Sequence, residues 1–391
     1  MIHKPYNLPF RSTTAEYESV LAQVVEAAKG NDTVKAVYRT GGKWTPGVSD
    51  IDIVVVYKKG IRPVHIPGPW GLSLEAERIF THRYFAFDEE DFASFFYLHP
   101  SVTTVLVLAW GEDCMPEDSR DRSTDAEYQL FIAANLIDVF VNKLLLFPLH
   151  VGKKKMNVRK MLLELYSLKY TSRLLQELDR PSVGDTVVAE VSALRKNWFT
   201  MPESESIQEL VRLSDRGVVI VGEAMLETDT FLREQGFVIS THTRFKNKQY
   251  SIEFTDQWKT NEWADLVRRT FVSIPLPGNR RPLSHMHLTL PSSFAPFFHA
   301  HDAHDGILSS LVSGAMRDHV DGNLSPDLGH LVHERIGAIN RMFGRTMESG
   351  GLYRVPFTYG FSMIDVQKPS IVRVIGNILY MLALARRVFP Q

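Results

Sequence analysis

The chain has 391 residues, 44% of them apolar and 23% charged, which predicts two or three folded domains and excludes wholesale disorder. Lys and Arg number 44 against 45 Asp and Glu, a formal net charge of −1; that excludes a strongly basic body built for duplex nucleic acid, though not a local basic patch. The single cysteine, Cys114, excludes an intrachain disulfide framework and any multi-cysteine zinc site, and fits a reducing compartment.

Met1 to Phe10 carries Lys4 and two prolines but no apolar run of the kind a secretory signal needs. Ser12 to Lys29 is expected to be a helix, because Tyr17, Val20, Leu21, Val24 and Val25 recur at helical spacing behind two capping hydroxyls. Val34–Arg39 and Asp50–Tyr57 are expected strands, the second with an Ile-Val-Val-Val run typical of a strand buried on both faces. After a Pro/Gly-rich loop, Tyr84–Asp88 and Val102–Trp110 are expected strands with a helix near Glu89–Tyr97 between them. The polar stretch Glu112–Asp125 reads as a linker. Thr124–Phe147, Val158–Leu178 and Ser206–Gln235 predict amphipathic helices, the last interruptible at Gly217–Ile220. Strand character returns at Phe237–Phe245, Gln249–Phe254, Phe271–Leu276 and Met286–Leu290, before three helices at Ile307–His319, Leu331–Met347 and Ile371–Phe389. The uncharged apolar run of the last, Val374–Ala385, is shorter than the roughly 20 residues that a bilayer core needs, so no membrane span is expected and the expected location is the cytoplasm. The fold class is therefore α+β: a mixed sheet with flanking helices over 1–122, a helical domain over 123–236 and a mixed α/β region over 237–391.

The chemistry concentrates in Thr40-Gly41-Gly42-Lys43, a seven-residue spacer from Lys43 to Ser49, and Asp50-Ile51-Asp52-Ile53. With a strand period of two, Asp50 and Asp52 would share a face and could hold a hard divalent cation, Mg2+ or also Mn2+. Paired glycines let a phosphate chain approach the backbone. This arrangement resembles the nucleotidyltransferase superfamily related to DNA polymerase β, and most nearly its small-molecule branch, which includes antibiotic nucleotidyltransferases. In that pattern Gly41 and Gly42 match the glycine pair, Asp50 and Asp52 the metal-binding acids, and Ser49 the serine that often precedes them.

The resemblance covers about the first 115 residues, and a helical domain directly after them is usual in that superfamily. It implies transfer of an NMP group from an NTP, ATP by default, to a hydroxyl or similar group of a small acceptor. Thr40, Gly41, Gly42, Lys43, Ser49 and Lys169 would face the nucleotide. It also implies a third carboxylate acting as base: Asp88 first, Glu164 of the helical domain second, with His82 and Glu75 further candidates. Tyr166 and Tyr170 could stack on a base beside Lys169. The basic residues Lys153–Lys155, Arg159, Lys160 and Arg173 could help to neutralise a triphosphate, although a solvated face is the plainer reading; Lys153–Lys155 with Arg159 and Lys160 could alternatively form a patch for tRNA, a known acceptor among relatives. The length beyond the first domain predicts a larger acceptor or a homodimer surface.

Two other readings compete. The fold could be retained without catalysis, as a nucleotide-binding or regulatory protein. Alternatively His285, His287, His299, His301, Asp302, His304 and Asp305 could form a hydrolase metal centre, their order being close to the metallo-β-lactamase pattern with the Asp one position early; a polar loop and helix start is the plainer account of them.

Overall fold

A computed structural model describes residues 4–61, 64, 66–98, 105–115, 126–151, 155–237, 243–246, 250–258, 272–276, 279–299 and 329–330. The first half is a four-stranded sheet between helices. β1 (Lys4–Tyr6) leads to α1 (Thr14–Lys29). The helix starts with a capping box, in which the Thr13 hydroxyl accepts from the Glu16 N–H and the Glu16 carboxylate accepts from the Thr13 N–H. β2 (Val34–Arg39), β3 (Ile53–Tyr57), β4 (Phe85–Asp88) and β5 (Val107–Gly111) form the sheet in the order β4-β3-β2-β5. β2 is antiparallel to both β3 and β5, and β3 is parallel to β4. α2 (Leu74–Ile79) and α3 (Glu89–Leu98) flank β4 in sequence.

Alternation along β3 explains why all its residues are apolar. Ile53, Val55 and Tyr57 pack under Tyr17, Val20 and Val24 of α1 and Ala76 and Ile79 of α2. Val54 and Val56 face the other way, against Ala36, Tyr38, Phe87, Phe92 and Phe95. The strand is shorter than its sequence suggests, since Asp50–Asp52 lie in the connection before it. The carbonyls of Val48 and Ser49 are taken by the Arg159 guanidinium, and that of Ser49 also by the Tyr17 hydroxyl, so the chain there is held by side chains and not by a ladder.

The helical body follows: α4 (Ala126–Val151), β6 (Lys155–Asn157), α5 (Val158–Tyr166), α6 (Leu168–Glu177), α7 (Asp185–Asn197) and α8 (Glu203–Glu234). β6 pairs in parallel with β1 and ties the amino-terminal segment to the start of α5. The expected helix Val158–Leu178 is two helices divided at Ser167, whose hydroxyl donates back to the Glu164 carbonyl at 2.8 Å. α8 runs unbroken through Gly217, which is buried in the helix packing, so no interruption occurs there. α7 was absent from the expected elements, although Val187, Val191 and Leu194 sit at helical spacing and bury in the common core.

Beyond Gly236, β7 (Thr243–Lys246), β8 (Tyr250–Thr255), β9 (Val272–Leu276) and β10 (Asn279–Pro291) form a second sheet in the order β7-β8-β10-β9, followed by α9 (Ala295–His299). Phe254, Trp258, Leu290 and Phe294 join the same core as Leu162, Leu210 and Met225, so this sheet rests on the helical body. The described residues are thus mixed α/β, with two four-stranded mixed sheets, the two-stranded β1-β6 pair and a helical layer. The three helices expected after Gly306 lie outside the described residues, of which no helix is long and apolar enough to cross a membrane.

Candidate metal centre and cleft

The glycine turn and the acidic segment are brought together by backbone pairing. Thr40 N–H donates to the Asp52 carbonyl at 2.9 Å, which sets the end of β2 beside the start of β3. Gly41 adopts φ +84, a conformation that favours glycine, and its N–H donates to Val105 O at 3.2 Å. A Cβ at Gly41 or Gly42 would meet no atom of the described residues within 4 Å, so both glycines open towards the cleft.

The spacer is a tight turn. Val48 and Ser49 N–H groups both donate to the Thr45 carbonyl, and Gly47 takes φ +76 with its N–H donating to the Tyr17 hydroxyl at 3.0 Å. Tyr17 in turn donates to Ser49 O at 2.6 Å. The Ser49 hydroxyl accepts from Thr45 N–H and from Arg195 Nη2, both at 2.8 Å, which fills its two lone pairs and leaves its own proton to donate.

Asp50, Asp52 and His82 converge behind this turn. One ligand atom from each lies within 4.8 Å of the others, so the group could hold a metal ion. All three are half-buried. Asp50 accepts a short hydrogen bond from the Thr81 hydroxyl. His82 Nε2 lies 2.7 Å from Asp52 Oδ1, and Nδ1 lies 2.7 Å from the Arg83 carbonyl. A carbonyl only accepts, so Nδ1 carries a proton, and Nε2 is the nitrogen that faces the acids. A ring held in this way presents Nε2 as metal-ligating imidazoles do. Burial and then the charge of Asp52 raise the Asp50 carboxyl above its ordinary range. Burial alone would lower the His82 imidazole; its hydrogen bond to Asp52 and the charges of Asp52 and Asp50 outweigh this and push it up to about 9.

A cleft of about 350 Å³ opens over this group. One wall is the turn Thr40–Trp44 with Ser49, and the floor holds Asp50, Asp52, Thr81 and His82. The opposite wall comes from the helical body: Lys160, Leu163 and Glu164 on α5, Tyr166 at its end, Lys169 and Tyr170 on α6, and Arg195 on α7. Lys169 Nζ lies 4.1 Å from the Tyr166 ring centre and 4.8 Å from that of Tyr170, while the Arg195 guanidinium lies 3.8 Å from the Tyr166 ring. Arg195 is 4% exposed, and its Nε and Nη1 have no hydrogen-bond partner among the described residues. Burial lowers its basicity, although arginine stays charged.

Of the residues singled out in the sequence, Thr40, Gly41, Gly42, Lys43, Ser49, Asp50, Asp52 and Lys169 all line this cleft, as does Glu164. Asp88 does not. β4 pairs with β3 so that Phe85 is beside Val54 and Asp88 beside Tyr57, at the far end of the strand from Asp52. At about 3.3 Å per residue that separates them by roughly 16 Å. There Asp88 accepts from the Asp91 N–H at 2.8 Å at the start of α3, a capping role that corrects its assignment as the third acid. Arg159 and Arg173, expected on a basic face, are respectively 2% exposed and paired with Glu177 at 3.3 Å. Lys153 and Lys154 lie outside the described residues, and so do His301, Asp302, His304 and Asp305; His285 and His287 are alternate residues of β10, and His299 ends α9.

The sequence reading missed Arg195 altogether and gave His82 only a subordinate place. Arg195 was legible only through the helical spacing around it, and His82 had no motif to mark it. Fold and site together define a mixed α/β protein with a candidate metal-binding cleft between a sheet and a helical body. No protein-family model, curated protein or solved structure matches the chain.

Proposed function

We propose that the chain is a metal-dependent nucleotidyltransferase that moves an NMP group, AMP by default, from an NTP to a hydroxyl of a small acceptor. The observation that carries this reading is the meeting, in one cleft, of an open glycine turn, two adjacent carboxylates and a cation-bearing helical wall with one acid, Glu164.

Asp50 and Asp52 would hold Mg2+, or Mn2+, which also accepts an imidazole such as His82. When bound, the ion supplies Lewis-acid stabilisation of charge on the phosphoryl oxygens. Lys43, Lys169 and the Ser49 hydroxyl donate to phosphate oxygens, and Gly41 and Gly42 leave space for the chain of phosphates. Tyr166 and Tyr170 offer faces for the base. Glu164, which replaces Asp88 in this role, takes the proton of the acceptor hydroxyl as its oxygen bonds to the α-phosphorus; the bond from that phosphorus to the bridging oxygen breaks, and pyrophosphate leaves.

A second reading, nucleotide binding without transfer, is favoured by the acid-free end of β4 on the cleft side. One experiment separates the two. Purified protein with Mn2+ or Mg2+ and ATP is tested for binding by calorimetry and for pyrophosphate release in the presence of hydroxylated small molecules. Binding and release that are both lost in Asp52→Asn support transfer, and binding without release in any acceptor pool supports the second reading. Failure to bind metal or nucleotide rejects both.

A further inference from the structure

Arg159 stands on the first turns of α5, among residues that line the cleft, yet it points beneath the floor and is 2% exposed. Its Nε donates to Val48 O at 3.2 Å, Nη1 to Arg78 O, and Nη2 to both Ser49 O and Ile79 O. Four of its five N–H bonds are therefore used on backbone carbonyls. The Phe10 ring lies 5.2 Å from the guanidinium carbon. All four acceptors are neutral carbonyls, and the charge of Asp50 is the main one that favours the ionised guanidinium against its burial.

The four carbonyls fall into two pairs. Val48 and Ser49 immediately precede Asp50, and Asp52 follows two residues later. Arg78 and Ile79 end α2, immediately before the segment that bears Thr81 and His82. These two segments, some 30 residues apart in the chain, supply the three converging ligand atoms. On the cleft side the segments touch through their side chains, Thr81 on Asp50 and His82 on Asp52; beneath the floor their backbones are joined through Arg159. A planar guanidinium with donors along two edges can bridge two pairs of carbonyls at a set separation; an ammonium, with its donors on one atom, cannot.

We propose that Arg159 is the positioning residue of the metal centre. It fixes the distance between the Asp50/Asp52 arm and the Thr81/His82 arm, and through α5 it ties that spacing to the wall carrying Glu164. The proposal rests on the reading of Asp50, Asp52 and His82 as metal ligands, and it adds the element that makes them converge. Partners behind the ligands orient ligand atoms in this way at metal sites generally, and their loss weakens metal binding without removing a ligand.

The test uses the full chain and Mn2+ alone, with bound and free ion distinguished by electron paramagnetic resonance, and melting followed separately in metal-free buffer. Wild type is expected to bind Mn2+ and Asp52→Asn to lose it. If wild type binds none, or Asp52→Asn binds equally well, the metal reading falls and the positioning role with it. Given a wild-type site, Arg159→Lys, which keeps the charge, is expected to weaken Mn2+ binding roughly 10-fold to 100-fold and to alter the spectrum of the bound ion. Millimolar methylguanidinium added to Arg159→Ala should restore affinity, whereas methylammonium should not. A lowered melting point with Mn2+ affinity and spectrum unchanged would mean that Arg159 serves stability alone, and the proposal would be rejected while the metal reading survived. Should neither variant fold, Phe10→Leu loosens the guanidinium without removing it. Weaker Mn2+ binding is expected there too, and unchanged affinity overturns the proposal.

Discussion

Glycines 42 and 47 sit five residues apart and answer to different constraints. A Cβ at Gly47 would lie 1.6 Å from the Phe10 carbonyl oxygen, at a backbone φ of +76. Gly47→Ala is expected to destabilise the protein by roughly 2–4 kcal/mol, combining backbone strain with forced displacement of a neighbouring segment. A Cβ at Gly42 meets nothing within 4 Å, so Gly42→Ala should change stability by less than about 0.5 kcal/mol, as surface substitutions do, yet weaken ATP binding by narrowing the cleft. Urea denaturation of both variants, with ATP calorimetry on Gly42→Ala, checks the pair. Equal loss of stability in the two would contradict the geometry.

Glu177 offers a pH test at the same scale. Burial raises its carboxyl above the ordinary range, and the charge of Arg173 and a hydrogen bond from Tyr128 only partly offset this. A folded pKa above the unfolded one means that the favourable contribution is complete below the unfolded value and is lost as pH rises through the folded value. At neutral pH the ionised form therefore costs stability. Glu177→Gln is expected to melt higher than wild type at pH 7, with the difference vanishing below about pH 4, where the unfolded carboxyl is protonated as well. A difference of constant size across that range would assign the effect to packing.

At the scale of elements, α1 and α7 illustrate two kinds of dependence. α1 is set by local chemistry: its capping box involves residues three apart, and Thr13→Ala is expected to cost about 1 kcal/mol by chemical denaturation, as the loss of such caps does. α7 matters to the site through one residue. Arg195 reaches from α7 to Ser49 and keeps two nitrogens beside the cleft that have no partner among the described residues. Replacing the buried guanidinium with an apolar group of similar length removes its desolvation penalty together with its hydrogen bond to Ser49, and the two losses offset each other. Arg195→Met is thus expected to stay within about 1 kcal/mol of wild type while weakening ATP binding by roughly tenfold, the worth of a charge-assisted hydrogen bond. Unchanged ATP affinity would remove Arg195 from the nucleotide-facing wall.

For the whole molecule, the balance of 44 basic against 45 acidic residues bears on the acceptor. Lys43, His82, Lys160, Lys169 and Arg195 share the cleft with Asp50, Asp52 and Glu164, a mixed lining with only a small excess of positive charge. A small acceptor is expected to be used with little change in rate between about 50 and 200 mM salt, whereas a polyanion held by several phosphate contacts would lose roughly a thousandfold or more in affinity over that range. A steep salt dependence of turnover with RNA would reverse this expectation and favour the tRNA alternative.

Much of the sheet and its helices was legible from the chain alone because the signals are short-range. Alternation of apolar residues in β3, the i, i+3, i+4 spacing of α1 and the Gly-Gly and Asp-Ile-Asp pairs each depend on neighbours a few residues away. The seven cleft residues anticipated between Thr40 and Asp52 line one cavity for the same reason: a strand end, a turn and the approach to the next strand are contiguous, whereas Lys169 reaches the cavity from α6. What only the tertiary structure decided lies across long separations. Asp88 looked like a strand-end acid, but parallel register with β3 carried it to the opposite end of the sheet. His82 joined the acids from 30 residues away, Arg159 reached Ser49 across 110 and Arg195 reached it across 146. No periodicity encodes such distances, because hydrogen bonds between remote segments form only after the sheet and the helical body have packed and placed their backbones within reach.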